Sequence, residues 1–135
     1  MTLLIDASVW GNLAQPGGHF HRESRDLLVD SEANLAALDL TLYEVANAVG
    51  VKMRQPRRAQ WLSELVEVRC ADRLLRVDPR LAATAVDVAA QHALSAYDAA
   101  YVAAARANGW QLVSLDLRDL VSKGLAVTPD AAVYP

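Results

Sequence analysis

Apolar positions along this chain fall into two rhythms, and the places where one gives way to the other mark its elements. Leu3-Leu4-Ile5 is a short continuous apolar run that stops at Asp6, which reads as a buried strand. Ala7 to Ala14 follows as a short helix, closed by the breaker Pro16-Gly17-Gly18. His21 to Asp30 has helical spacing, and Leu35 to Leu38 is a second apolar run of strand length. Thr41 opens a helix reaching to about Arg54, and Pro56 begins another, with Trp61, Leu65 and Val68 as its apolar stripe.

Downstream, Leu74 to Val77 is a third candidate strand. Asp78-Pro79 is a strong helix start, Asp as cap and Pro at the first helical position, for a helix ending near His92. Ser95 caps an Ala-rich helix that stops at Asn108-Gly109. Gln111 to Leu115 is a strand ending at Asp116, and Leu125 to Val127 could supply one more. Ala is the best helix former, and Val86, Tyr97, Tyr101 and Val102 give the stretch from Leu81 to Ala107 its packing residues, so it reads as folded helix. Strands alternating with helices require crossovers, and crossovers make parallel sheets covered on both faces. The expected architecture is a three-layer α/β/α fold with a short central parallel sheet of four to five strands. Ligands gather at the carboxyl edge of such a sheet.

Composition narrows the picture. The 135 residues, 53% of them hydrophobic, suit one domain spanning 1–135. No apolar stretch is long and uncharged enough to span a membrane, and three apolar residues before Asp6 are too few for a secretory leader, so a cytoplasmic protein without membrane contact is expected. The lone Cys70 permits neither an internal disulfide nor a thiolate metal cluster and reads as a packing residue. A formal charge of −3 makes the surface as a whole a poor match for a polyanion, so contact with nucleic acid has to be local or metal-bridged. Eleven Arg against two Lys, Lys52 and Lys123, is a bias that either phosphate recognition or a G- and C-rich genome produces.

Candidate chemistry is acidic. Asp6 and Asp116 each end a strand, and Glu44 and Asp98 each stand three residues after a helix-opening Thr41 or Ser95, so all four belong at the carboxyl edge if the strands are neighbours. Capping is the competing explanation, since Thr41-Leu42-Tyr43-Glu44 has the form of a capping box, Ser95-Ala96-Tyr97-Asp98 approximates one, and Asp is a favoured N-cap between strand and helix. Capping does not require all four residues to be acidic, however. Four converging carboxylates repel one another unless a cation lies between them. All-oxygen ligation suits Mg²⁺ or Mn²⁺, and His19 and His21, a loop pair expected at the surface, offer no zinc-type alternative. Hydrolysis of a phosphodiester fits such a site.

The blocks Leu4-Ile5-Asp6-Ala7-Ser8-Val9-Trp10, Tyr43-Glu44-Val45-Ala46-Asn47-Ala48, Tyr97-Asp98-Ala99-Ala100-Tyr101 and Leu112-Val113-Ser114-Leu115-Asp116, in this order, resemble the PIN-domain family and in particular its VapC toxins. The resemblance spans nearly the whole chain and implies a metal-dependent endoribonuclease in which Asp6, Glu44, Asp98 and Asp116 bind the ion. It also implies that Ser8 and Ser114 lend hydroxyls, Ser114 where the family often has Thr. Asp119 is a fifth ligand or an acid satisfying a helix start, and Asn47 a polar partner of Glu44 or of backbone. The family implies an RNA substrate, a cognate VapB-like antitoxin and a homodimer. Helices from Leu42 to Val68 are a candidate docking surface, and Arg54, Arg57 and Arg58 either hold phosphates or serve helix ends.

Two other acid-bearing α/β classes fit less well. A receiver domain needs a Lys late in the sheet, where Lys52 and Lys123 do not fall, and a haloacid-dehalogenase phosphatase needs a second Asp where Ser8 stands. The rival that remains is a PIN fold that binds RNA or an antitoxin without cutting.

Overall fold

The computed structural model describes residues 1–133. Its sheet is made of β1 (Thr2–Ile5), β2 (Asn34–Leu38), β3 (Leu74–Leu75) and β4 (Gln111–Val113), all parallel, in the order β3-β2-β1-β4. Six helices surround it: α1 (Ala7–Asn12), α2 (His21–Arg25), α3 (Leu40–Val45), α4 (Pro56–Cys70), α5 (Pro79–His92) and α6 (Ala96–Asn108). The helical path of α2 continues with π-type bonding through Asp26–Asp30, and that of α3 through Ala46–Lys52. The expected three-layer α/β/α arrangement is the one found, and none of the helices described is long and apolar enough to cross a membrane.

Period-two alternation divides the central strands between the layers. Leu3, Ile5, Leu35, Ala37 and Val113 face a core shared with Trp10 of α1, Leu27 and Leu28, Val45 and Val49, and Leu62 and Val66 of α4. Leu4, Ala36, Leu38 and Leu112 face the opposite core, built on Ala85 and Val88 of α5 and the run Ala99 to Ala105 of α6. The small side chains of α6 let its axis lie close to the sheet, and five of its alanines are buried.

Several boundaries differ from the sequence reading. The strand expected over Leu74 to Val77 stops at Leu75, because the Val77 amide is taken by Asp39 Oδ1 at 3.1 Å. The one expected over Gln111 to Leu115 stops at Val113, because the Leu115 amide donates to Ser8 Oγ at 2.9 Å. Leu125 to Val127 forms only a parallel bridge, Val113 to Val127, in place of a full strand. Of the docking surface proposed for the α3 path, Val45 and Val49 are core residues and Val51 is exposed.

Candidate metal centre

Sheet register brings the first pieces together. Ile5 pairs with Val113, so Asp6 and Ser114 leave the ladder side by side, and the Asp6 amide donates to Val113 O at 3.2 Å. Asp6 caps α1: its Oδ1 accepts from the Ser8 amide at 3.0 Å and from the Ser8 hydroxyl. That same hydroxyl accepts from the Leu115 amide and ties the start of α1 to the end of β4. Ser114, fully buried, accepts from the Asp116 amide at 2.9 Å, and Asp116 Oδ1 accepts in turn from the Asp119 amide at 2.9 Å. Both strand-end aspartates therefore do cap, as the simpler explanation holds, but each caps through one oxygen only.

Asp98, at the third position of α6, comes in from the other layer. Ser95 caps that helix by accepting from the Asp98 amide at 3.1 Å. Asp98, Asp116 and Asp119 each present a carboxylate oxygen within 4.8 Å of the others. Asp119 thus belongs to the cluster, as well as standing in the first turn after Asp116.

Glu44 is held by groups the sequence reading did not assign to it. The buried Tyr101 hydroxyl donates to Glu44 Oε1 at 2.7 Å and shares a hydrogen bond with Thr41 Oγ1 at 2.5 Å. Thr41 is consequently not the N-cap it was read as. The helix starts at Leu40 with Asp39 in the cap position, and the Thr41 side chain is fully buried against Tyr101. A buried hydroxyl bonded to a second buried hydroxyl outweighs an exposed cap. Asn47 is exposed and has no hydrogen bond to Glu44 among the described residues; the two line one surface hollow with Tyr43 and Tyr97. Tyr101 stands three residues after Asp98, a spacing that puts both on one face of α6. That spacing, with its place in the Tyr97-to-Tyr101 block, was the sequence signal for it.

Electrostatics set this cluster apart from ordinary caps. Burial pushes Asp6 up to about 6, against hydrogen bonds from Ser114, Ser8 and the Val9 amide that lower it, with the charge of Asp98 raising it further. Asp98 is also raised to about 6, first by burial and then by the charges of Asp116, Glu44 and Asp119. Burial raises Glu44, partly offset by the Tyr101 hydrogen bond. Carboxylates with free oxygens, desolvated and repelling each other, form a donor set that fits a hard divalent cation, and no imidazole or thiolate lies in the cluster to favour zinc. His19 is exposed in its loop, and His21 Nδ1 is 2.8 Å from Asn12 O.

Comparison with known proteins identifies the family and the fold. The PIN-domain family model matches residues 3–122. A Pyrobaculum aerophilum protein named Ribonuclease VapC3 is 35% identical over 137 residues, covering 96% of this chain and 100% of the relative. Mycobacterium tuberculosis VapC20, described as a Sarcin-Ricin loop cleaving toxin, superposes with a TM-score of 0.73 at 20% identity over 90% of this chain and 95% of its own. A toxin-antitoxin complex from Klebsiella pneumoniae gives 0.69 at 20% identity over 94% and 97%. With its strand-end acids, its three layers and its match over most of its length, the chain belongs to the PIN-domain family.

Proposed function

We propose that the chain is a VapC-type toxin, an endoribonuclease dependent on Mg²⁺ or Mn²⁺, with Asp6, Glu44, Asp98 and Asp116 as metal-binding and catalytic residues and Asp119 as a further ligand. The observation that carries this reading is the gathering, at one sheet edge, of desolvated carboxylates from both layers, with Asp6 and Asp98 both pushed up to about 6. A structural role does not call for that. The relative named as a ribonuclease, 35% identical, supports the activity. A divalent ion held there supplies Lewis-acid chemistry at the scissile phosphate. The chain's own contribution is positioning: Ser8 and Ser114 fix Asp6, the Ser114 hydroxyl holds the Asp116 amide, and Tyr101 orients Glu44. Asn47, exposed beside Glu44, is free to meet the substrate.

The reading carries partners with it: an RNA substrate, a cognate VapB-like antitoxin and a second copy of this chain. A homodimer is supported by an apolar groove of about 510 Å³ lined by Leu40, Leu42, Tyr43, Val77, Val86 and Tyr97, of which Tyr43 is 82% exposed and Tyr97 62%. The test of the activity is cleavage of a structured RNA by the purified, antitoxin-free protein with Mg²⁺ and with chelator, beside Asp98→Asn and Asp116→Asn. Cutting that needs the ion and is lost in both variants is expected. Undiminished cutting by both variants refutes the carboxylate metal site, and no cutting by the wild type under any metal leaves the non-catalytic binding module.

A further inference from the structure

Three of the arginines are tied into the fold. Arg69 Nε donates to Leu28 O at 2.8 Å, and its Nη2 reaches the carbonyls of Leu27, Ser31 and Ala33. Arg73 Nε donates to Leu35 O at 2.9 Å, and Arg106 meets His92 at 3.3 Å. Arg57 and Arg58 are among the eight arginines that are exposed and whose side chains, among the described residues, have neither an ion pair nor a hydrogen bond; their position sets them apart. They occupy the first turn of α4 directly after Pro56, a turn without an acidic residue, where the helix dipole makes a cation unfavourable. Local structure therefore gives no reason for two guanidinium groups there.

Trp61 stands one turn further along the same helix face, and a 45% exposed tryptophan is itself unusual. Arg57, Arg58 and Trp61 together line an open hollow of about 330 Å³. Lys52 and Arg54, exposed just before α4, extend the positive stretch. The α3 path carries the chain directly from Glu44 to Lys52, and the Gln55 amide then donates to Val49 O at 3.0 Å. Gly50 keeps the two helices close, since a Cβ there would lie 3.2 Å from Ala59 Cβ.

We propose that Arg57, Arg58 and Trp61 form a docking surface for single-stranded RNA, the indole stacking on a base while the two guanidinium groups hold neighbouring phosphates. The proposal rests on the ribonuclease reading of the acid cluster and adds to it the surface, at the start of α4, on which the strand is held. Charge complementarity selects a polyanion, and an exposed indole between cations selects one whose bases are free to stack. On a chain with an overall charge of −3, the patch supplies a local positive surface of the kind a strand needs.

The test is fluorescence anisotropy of the full chain in chelator, where no cutting occurs, with a labelled single-stranded RNA of about ten nucleotides, and with the same RNA as a duplex, over a series of salt concentrations. Trp61→Leu keeps an apolar side chain and is expected to weaken single-strand binding roughly ten-fold with an unchanged salt slope. The double variant Arg57→Ala/Arg58→Ala is expected to weaken binding and flatten the slope of log Kd against log salt by about 1.4, two phosphate contacts. Thermal melts establish that both variants fold. Wild-type affinity in both variants, or equal binding of duplex and single strand, overturns the proposal; if those variants instead lose a co-purifying antitoxin, the surface belongs to a protein partner. RNA bound through the patch but never cut would remove the ribonuclease reading and leave the docking surface standing. Cutting with an unchanged KM in both patch variants would do the reverse.

Discussion

Asp6→Asn separates a metal-site acid from a helix cap. Asn and Asp cap helices about equally well, so a residue present only to cap α1 gives no change on this substitution. In the metal-free protein Asp6 carries a desolvation penalty: the gap between about 6 and the ordinary aspartate value of about 3.9 corresponds to roughly 3 kcal/mol at neutral pH. The amide removes that penalty but buries donors that lack partners, which returns about 1–2 kcal/mol. The net expectation is a gain of about 1–2 kcal/mol in chelator at pH 7.5, on the order of 5 °C in Tm for a domain of this size. The pH dependence has a definite sign. The folded state binds the Asp6 proton more tightly than the unfolded chain does, so wild-type stability falls as pH rises from about 4 through 6 and the penalty is complete above that. The advantage of the variant should therefore be full at pH 7.5 and vanish near pH 4. Mn²⁺ should raise the Tm of the wild type and not of the variant. Equal or lower stability of Asp6→Asn at pH 7.5 in chelator, or a gain independent of pH, refutes the argument.

Three further substitutions or probes follow from the same contacts. Tyr101→Phe removes the donor to Glu44 and leaves the Thr41 hydroxyl buried without its partner, so Mn²⁺ affinity should drop at least ten-fold and stability by about 1–3 kcal/mol; calorimetric titration and thermal melting read the two separately. Asp119→Asn should weaken Mn²⁺ binding by about ten-fold in the same titration, whereas an acid serving only the helix start leaves it unchanged. Cys70, fully buried and with its thiol pushed up to about 12 by burial, should resist a thiol reagent at pH 8 in the native protein and react at once in denaturant.

Local signals carried much of this fold because its elements are bounded by residues with one strong local role. Asp78 caps α5 by accepting from the Leu81 amide at 2.8 Å, Ser95 caps α6, and Gly109 ends α6 in the left-handed region that asparagine-glycine foretells. Asp6 and Asp116 could be placed at the sheet edge because each directly follows an apolar run. What stayed hidden was decided across the chain. Thr41 looked like a cap until Tyr101, sixty residues away, supplied a better partner. The ends of β3 and β4 were set by Asp39 and Ser8 capturing amides that a longer ladder would have used. The i+3 spacing of Asn47 from Glu44 is visible in sequence and left it open as a partner of Glu44 or of backbone, while the α3-to-α6 contact through Tyr101 is not visible there.

The most direct test of the central claim is to measure RNA cleavage and Mn²⁺ occupancy on the same samples, the rate by single-turnover assay and the bound ion by electron paramagnetic resonance, for wild type and Asp98→Asn. A carboxylate metal centre predicts a rate that rises in proportion to occupancy in the wild type, with both lost together in the variant. Cleavage that persists in chelator, or an Asp98→Asn protein that binds Mn²⁺ and cuts like the wild type, contradicts it.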